Sequence, residues 1–330
     1  MKDLNISVVI PNYNGVHLFP FTLPALFVAL GRSGLQFEVI IVDDCSTDGS
    51  EKFLKDNFPQ ISVLLNSQNL GFSKTINKGI FSAKNDLVLM LNSDVKLLPN
   101  YFSEQIQYFR MPDTFGVMGK IIGWEDDVIQ DAAKYPKFEG FKLKTSYNYL
   151  SNEADGSFAY SMYLSGANSL VNRNKLIQLG GFNEMYSPFY MEDVDLSIRA
   201  WRVGWKCYFE PLSICRHRTS TSIGSKEAKH FVKIIYNRNK MYFHAIHLNG
   251  LFLAGWYIQT FFELLFRLMT LRFDFLKSVI AFLRTTDKIA VSRGQIFQLS
   301  NSTGVSLSLG EVARLIENSA SPDDIEIFKR

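Results

Sequence analysis

The sequence predicts an α/β protein built on a mixed, mostly parallel sheet flanked by helices, with a helical extension at its C-terminal end. Two observations predict the sheet. The first ~120 residues alternate short β-rich runs with helical stretches, the pattern of a doubly wound parallel sheet. Each run is nearly continuous in Val, Ile and Leu, as strands covered on both faces require. The extension follows from the helical pattern that holds from about residue 226 onward.

The strand candidates, in order, are ISVVI (6–10), FEVIIV (37–42), ISVLL (61–65), DLVLML (86–91) and FGVMGKII (115–122). Helices are expected between them over about 20–32, 48–57, 72–84 and 99–110. From 124 to 163 aliphatic residues thin out among Lys, Tyr and Phe, which reads as a loop-rich segment over the sheet. Strand character returns in YLSGANSLVN (163–172), EDVDLSIRAWRVG (192–204) is helical, and WKCYFEP (205–211) is a short strand ended by Pro211. Three domains follow: a ligand-binding and catalytic α/β unit over 1–225, a helical extension over 226–300 that is a candidate for membrane association, and a polar tail over 301–330.

Composition bounds the function. A chain of 330 residues with 47% hydrophobic and 20% charged residues packs a core readily and is not disordered. Its net charge of +3 is too mild to argue for nucleic acid. Cys45, Cys207 and Cys215 have no CxxC spacing, so they read as reduced thiols of a cytosolic protein. The opening MKDLNISVVIPNYN carries no apolar h-region, so no signal peptide is expected and the protein should stay on the cytoplasmic side of any membrane.

One segment bears on membranes. GLFLAGWYIQTFFELLFRLM (250–269) is long and apolar, but Glu263 and Arg267 interrupt it four residues apart and can pair. A charge pair is costly in lipid, so a helix on a membrane surface or packed on other helices is favoured over a span or a buried core helix. Lys226, Lys229, Lys233, Arg238 and Lys240 just upstream would suit anionic headgroups, and equally a solvated face.

The chemistry should gather at the carboxyl ends of the strands. DLVLMLNSDVKLLP delivers Asn92, Ser93 and Asp94 to the rim, with residues 92 and 94 on one side of an extended chain. Two oxygen donors so placed suit a hard cation bridging a diphosphate, or a capped turn. Asp43 and Asp44 end the second strand, where a carboxylate can accept from a base N–H or ribose hydroxyls. No GxGxxG or GxxxxGK[ST] follows the first strand, which moves the phosphate work to a metal. In the 192–204 helix, Val194, Ile198 and Trp201 should face the core, and Asp195 and Arg199 should form an i,i+4 ion pair. Glu192 and Asp193 remain in the first turn, either as favourable partners of the helix dipole or facing a cleft, where Asp193 would take a proton. His217, in RHRTSTS (216–222), fits a metal ligand or a phosphate contact.

In this order, SVVIPNYNG, VDDCSTDGS, NLGFSKTINKGI, LMLNSDV, LGGFNEMYSPFYMEDVDLSIRAWRVGW and His217 resemble the inverting family 2 glycosyltransferases of GT-A fold, of the rhamnosyltransferase-like, polysaccharide-biosynthesis type. The resemblance covers about residues 5–220. It implies that Pro11, Tyr13, Asn14, Asp43 and Asp44 hold the nucleotide of a UDP-, GDP- or TDP-linked sugar. Gly71, Lys74, Asn92 and Ser93 would complete that site. It makes Asp94 a ligand for Mg2+ or Mn2+, with His217 as a further ligand, and Asp193 the catalytic base with Glu192 beside it. Asn92 stands where the family's DxD motif has its first acid, one charge fewer. RNKMYF in the tail resembles members that act at the cytoplasmic membrane face on glycan or lipid-linked acceptors. The implied reaction is a metal-assisted single displacement with inversion, with Asp94 and Asp193 converging on one pocket. Two rivals are a nucleotidyltransferase, which would want a Gly-rich basic loop that PNYNGVHLFP lacks, and a non-catalytic nucleotide-sugar-binding scaffold.

Overall fold

The computed structural model describes residues 4–151, 158–218, 226–319 and 325–329. The Thr219–Ser222 part of RHRTSTS and the side chain of Lys226 lie outside the described residues, as do 152–157 of the loop-rich segment and 320–324 of the expected tail.

The first half supplies β1 (Ile6–Asn12), α1 (Phe19–Ser33), β2 (Phe37–Asp43), α2 (Ser50–Asn57), β3 (Ser62–Leu65), α3 (Phe72–Ser82), β4 (Leu87–Leu91), β5 (Val95–Leu97) and β6 (Thr114–Gly123). Short strands follow: β7 (Ile129–Asp131), β8 (Ala133–Lys134), β9 (Lys137–Glu139), β10 (Lys142–Lys144), β11 (Tyr147–Ser151) and β12 (Ala159–Tyr160). Then come β13 (Asn168–Asn172), α4 (Arg173–Gln178), α5 (Glu192–Arg202) and β14 (Lys206–His217). The chain closes with α6 (Lys226–His247), α7 (Gly250–Met269), α8 (Phe273–Leu283), α9 (Thr286–Thr303), α10 (Leu309–Glu317) and β15 (Ile325–Lys329).

The main sheet runs β12-β14-β6-β13-β4-β1-β2-β3. β3, β2, β1 and β4 are mutually parallel, and β13 enters antiparallel between β4 and β6. The continuous apolar runs bury both faces. Ile6, Val8 and Ile10 of β1 pack with Leu23 and Leu26 of α1 on one side, while Val9 meets Ile76 and Ile80 of α3 on the other. Each such side chain contributes about 1.5–3 kcal/mol on full burial. The chain leaves β1 toward β2 and β3, then returns to the other side of β1 as β4. That reversal opens a crevice at the strand ends.

The structure departs from the sequence expectations at four places. The strand expected to stop at Pro211 runs on to His217, because Pro211 lies in a bulge where pairing with β6 skips from Glu210 to Ile214. A residue without an N–H is tolerated where no ladder bond is due. The helix expected over 99–110 is a set of tight turns ending in a 3-10 stretch, Gln105–Arg110. Its backbone closes i,i+3 bonds at Tyr101 and Ser103, and the Tyr101 hydroxyl donates to the Asn168 carbonyl at 2.8 Å. The loop-rich segment contains a β9–β10 hairpin and, with β15, a small antiparallel sheet of β15, β11 and β8. The polar stretch after 301 holds α10, capped by Ser308 and Glu311 and buried through Leu309, Val312 and Ile316.

Candidate active site

A cavity of about 410 Å³ fills the crevice at the strand ends. Pro11 near the end of β1 and Tyr13 just after it, Asp44 after β2 and Asn92, Ser93 and Asp94 after β4 line it. Gly71, Phe72, Pro188 and Phe189 line it as well. Tyr13 is 57% exposed, so its ring is open to stack on a base. The Asp44 carboxylate accepts from Asn66 Nδ2 (2.9 Å), the Leu70 N–H (2.8 Å) and the Gly71 N–H (3.0 Å). Three of about four acceptor sites are thereby filled, which fixes the group and leaves about one for a ligand. Gly71 has φ +80°, and a Cβ there would sit 3.2 Å from the Pro188 backbone, so this position needs glycine.

Three expected binding residues are placed elsewhere. Asp43 turns away from the cavity, since neighbours in an extended chain point to opposite sides. It accepts from Asn12 Nδ2 (2.7 Å) and the Ser46 N–H (2.9 Å). Asn14 braces the same turn: its N–H donates to Ser46 Oγ (2.8 Å) and its Oδ1 accepts from the Thr47 N–H (2.9 Å). Lys74 is on the exposed face of α3 and does not line the cavity.

The bulge at Pro211 carries β14 far enough to pair His217 with Val95 of β5. That puts His217 Nε2 3.4 Å from Asp94 Oδ2. On the far side of the ring, His217 Nδ1 lies 2.9 Å from Gln130 Oε1, while Gln130 Nε2 reaches the His217 carbonyl at 3.4 Å. An amide oxygen only accepts, so Nδ1 carries a proton, and in the neutral ring Nε2 then presents a lone pair to the carboxylate. A positive centre between the two removes that repulsion. Asp94 Oδ1 is buried without a hydrogen-bond partner. One carboxylate and one imidazole suit a divalent cation that takes its other ligands from phosphate and water. Among the described residues no group of three or more His, Cys, Asp or Glu side chains gathers, so the protein would supply the minority of the ligands.

Asp193 lines a second cavity, about 560 Å³, with Lys134, Tyr163, Ser165, Tyr190 and Tyr236. Its Oδ1 accepts from the Val194 N–H (2.8 Å) and its Oδ2 from the Gly166 N–H (3.4 Å). Burial raises the Asp193 pKa, while those two N–H groups and Lys134 act the other way. Glu192 is buried and its Oε2 has no hydrogen-bond partner. Burial, then the charges of Asp193 and Asp195, push its pKa well above the usual carboxylate range. Of the two adjacent acids, burial and like charge shift Glu192 the more strongly toward its neutral form, and Asp193, with two N–H donors and Lys134 near it, is the better able to carry charge. The expected single pocket is two adjoining cavities. A Cβ on Gly166 would lie 3.4 Å from Phe72 Cζ, in the first cavity, and 3.7 Å from Asp193 Cβ, in the second.

The loop between the cavities also separates them. Pro188 and Phe189 line the first, Tyr190 and Met191 the second. Tyr190 and Met191 both have φ +75°, a left-handed conformation that non-glycine residues seldom adopt. Sequence reasoning missed what holds it. Asn239 Nδ2 lies within hydrogen-bond reach of the carbonyls of Tyr186 (2.6 Å), Phe189 (2.8 Å) and Tyr190 (2.9 Å), which share its two N–H groups, and Arg238 Nη2 donates to that of Ser187 (2.6 Å). The signal was present: Asn239 falls on the same buried stripe of α6 as Ile235, Tyr242 and Ile246, and a polar residue there must have a partner. Asp195 plays the expected architectural role, accepting from Arg199 Nε at 2.7 Å. Burial raises its pKa, but Arg199 and His247 outweigh that and hold it below the usual value. Its Oδ1 also accepts from the Tyr186 hydroxyl (3.1 Å) and His247 Nε2 (3.0 Å).

The basic run on α6 does not form one solvated face. Lys229 and Lys233 line the Asp193 cavity, Arg238 grips the loop, and Lys240 turns into a third cavity.

Known proteins match this architecture. The family model described as Glycosyl transferase family 2 matches residues 7–171. N-acetylglucosaminyl-diphospho-decaprenol L-rhamnosyltransferase of Mycobacterium tuberculosis (strain CDC 1551 / Oshkosh) is 26% identical over 255 residues, covering 70% of this chain and 81% of that protein. The mannosyltransferase PcManGT from Pyrobaculum calidifontis, in complex with GDP-Man and Mn2+, superimposes with a TM-score of 0.51 at 14% identity, covering 97% of this chain and 80% of that one. GalNAc-T7 with UDP, GalNAc and Mn2+ gives a TM-score of 0.53 at 16% identity over 74% of this chain, which spans about half (48%) of that structure's length. The chain belongs to glycosyl transferase family 2 and is a glycosyltransferase of GT-A fold.

Proposed function

We propose that the protein moves a sugar from a nucleoside-diphosphate donor to a hydroxyl of a lipid-linked glycan acceptor, with inversion at the anomeric carbon. The observation that carries this reading is the closeness of the two cavities, whose lining residues Phe72 and Asp193 both come within 4 Å of a Cβ on Gly166. The crevice cavity takes the donor, with Tyr13 against the base and Asp44 on the ribose. Asp94 and His217 would hold Mg2+ or Mn2+, with Asn92 and Ser93 beside them. When bound, that cation would neutralise charge on the departing diphosphate. Asp193 removes the proton of the acceptor hydroxyl as its oxygen attacks the anomeric carbon from the face opposite the leaving group. Glu192, buried and shifted toward its neutral form, supports the base without serving as one.

A lipid-linked acceptor is supported by the relative whose name specifies a diphospho-decaprenol substrate. It is also supported by α7, which is long and apolar enough to cross a membrane and is almost wholly unburied. We favour surface contact over a span. Glu263 and Arg267 pair with each other (2.8 Å) and Glu263 also pairs with Lys142 of β10, which ties α7 to the α/β domain at mid-length. The outer face, from Leu251 at 88% exposure to Met269 at 76%, is left for the membrane on the cytoplasmic side.

A transfer assay with nucleotide sugars and a lipid-diphosphate-linked sugar tests the assignment of roles. Asp193→Asn should lower kcat by about 10²–10⁴-fold, whereas Glu192→Gln, which puts a neutral isostere where burial already disfavours the charged carboxylate, should retain turnover within a few-fold. The reverse ranking overturns the choice of base, and a product of retained configuration overturns the displacement.

A further inference from the structure

A third cavity, about 220 Å³, lies between α6, α7 and the β9–β10 hairpin. Four cations line it, Lys142, Lys144, Lys240 and Arg267, against two carboxylates, Glu139 and Glu263. Lys144 pairs with Glu139 at 2.8 Å, and Lys142 and Arg267 share Glu263. Lys240 has no carboxylate partner among the described residues; its ammonium sits 5.0 Å from the Tyr236 ring. Burial, then the charges of Lys144 and Lys142, lower its pKa to about 8. Two more polar atoms at this cavity, Asn237 Nδ2 and Thr260 Oγ1, are buried without hydrogen-bond partners. A surplus of two positive charges and three unengaged donor groups in a small polar cavity is costly unless an anion completes it.

The position gives the anion a context. α6 lines both this cavity and that of Asp193: Tyr236 faces the base's cavity and Lys240, four residues on, faces this one. On β10, Lys144 lines this cavity and the next residue, Thr145, lines the other. One helical turn, about 5.4 Å, separates the two linings on α6, a distance that a single sugar ring can bridge.

We propose that this cavity binds the phosphate of the lipid-linked acceptor, with Lys240 as its principal contact, so that the attached sugar extends into the Asp193 cavity. The inference rests on the lipid-linked acceptor reading above. The exposed apolar face of α7, on the opposite side of that helix, would lie against the membrane from which the acceptor's lipid comes. A free phosphate or pyrophosphate has the same head chemistry without the lipid.

The test is equilibrium binding by calorimetry on the full chain, in excess EDTA and without donor, so that the nucleotide cavity contributes no metal-held diphosphate. Farnesyl diphosphate, below its micellar range, and inorganic pyrophosphate are the two probes. Farnesyl diphosphate should bind at least several-fold more tightly than pyrophosphate. Lys240→Met should weaken both at least about tenfold, as loss of one charge-assisted hydrogen bond implies. The Tm of Lys240→Met should not fall, because the substitution removes a half-buried cation with no carboxylate partner among the described residues. Thr260→Val serves as a second variant and should weaken binding severalfold. No binding of farnesyl diphosphate to the wild type, or equal binding to Lys240→Met, overturns the site. Tighter binding of pyrophosphate overturns the lipid assignment. Since neither donor nor turnover enters the readout, the outcome is independent of whether Asp193 proves to be the base.

Discussion

His217 Nε2 faces Asp94 Oδ2 at 3.4 Å across a gap that Gln130 defines from behind, by holding the other ring nitrogen at 2.9 Å. The three residues come from three strands or their ends. β7 carries Gln130, the segment after β4 carries Asp94, and β14 carries His217 only because the bulge at Pro211 lets that strand continue. The tautomer that His217 would need to act as a ligand is therefore set by Gln130, from the side of the ring away from Asp94.

Gln130→Leu should keep the fold and free the imidazole to turn. Loss of such an outer partner typically lowers metal affinity about 10–100-fold. Mn2+ titration followed by electron paramagnetic resonance, with UDP or GDP present to supply phosphate oxygens, reads this directly. An unchanged affinity would mean that His217 is not held as a ligand. His217→Ala and Gln130→Leu should not add, because both remove the same contact. Excess EDTA should abolish transfer by the wild type.

A second expectation concerns the loop at 187–191. Its two left-handed residues, Tyr190 and Met191, are retained by Asn239 and Arg238 from α6. Asn239→Leu removes the two N–H donors that three carbonyls share, at roughly 1–3 kcal/mol for each lost bond in a buried setting. Part of that cost is avoided by local rearrangement, so limited proteolysis should show new cleavage near 187–191 and transfer should fall more than tenfold, while the Tm drops by only a few degrees. A variant with wild-type protease resistance and turnover would show that the loop is held by its own sequence.

The contrast between these elements shows what was legible in the sequence. Strand ends were, because a run such as DLVLML followed by NSD carries its own boundary, and the Asp195–Arg199 pair was, because i,i+4 spacing is local. His217 could be singled out, but its place beside Asp94 could not. It depends on where β14 pairs with β5 and β6, and Pro211 argued locally for an earlier stop. Asp43 and Asp44 were equivalent as sequence, and only the pleat separates the one that braces Ser46 from the one that lines the cavity. Asn239 stands among basic residues in the sequence, and only its position on the buried stripe of α6 marks it as a donor to something distant. The short strands between 129 and 160 were illegible because two- and three-residue strands have no period, and their pairing partner β15 lies near the other end of the chain.

The last expectation is a pH dependence built into α6. His247 is fully buried, and its pKa is lowered to about 4 by burial, with Asp195 acting in the opposite direction. His244 is buried as well and lowered to about 3, again by burial first. Its Nδ1 lies 2.6 Å from the Lys240 carbonyl and its Nε2 accepts from the Leu143 N–H at 3.0 Å, an arrangement only the neutral ring can make. Both folded values lie below the unfolded value of about 6.5. Below that pH the unfolded chain takes up protons that the folded chain refuses, so stability present above pH 6.5 is lost as pH falls toward 4, at about 1.4 kcal/mol per unit for each ring. Glu192 works against this, since its raised pKa makes the folded state the proton binder once the unfolded carboxyl ionises. The His247 contribution is isolated by comparison with His247→Gln, whose amide can still donate to Asp195 without titrating. Urea unfolding at pH 7.5, 6.0 and 5.0 should show the wild type losing ground to the variant by about 1.4 kcal/mol between pH 6 and 5, with no change in their difference above pH 7. Parallel curves through that range would show that His247 takes a proton in the folded state as readily as in the unfolded one.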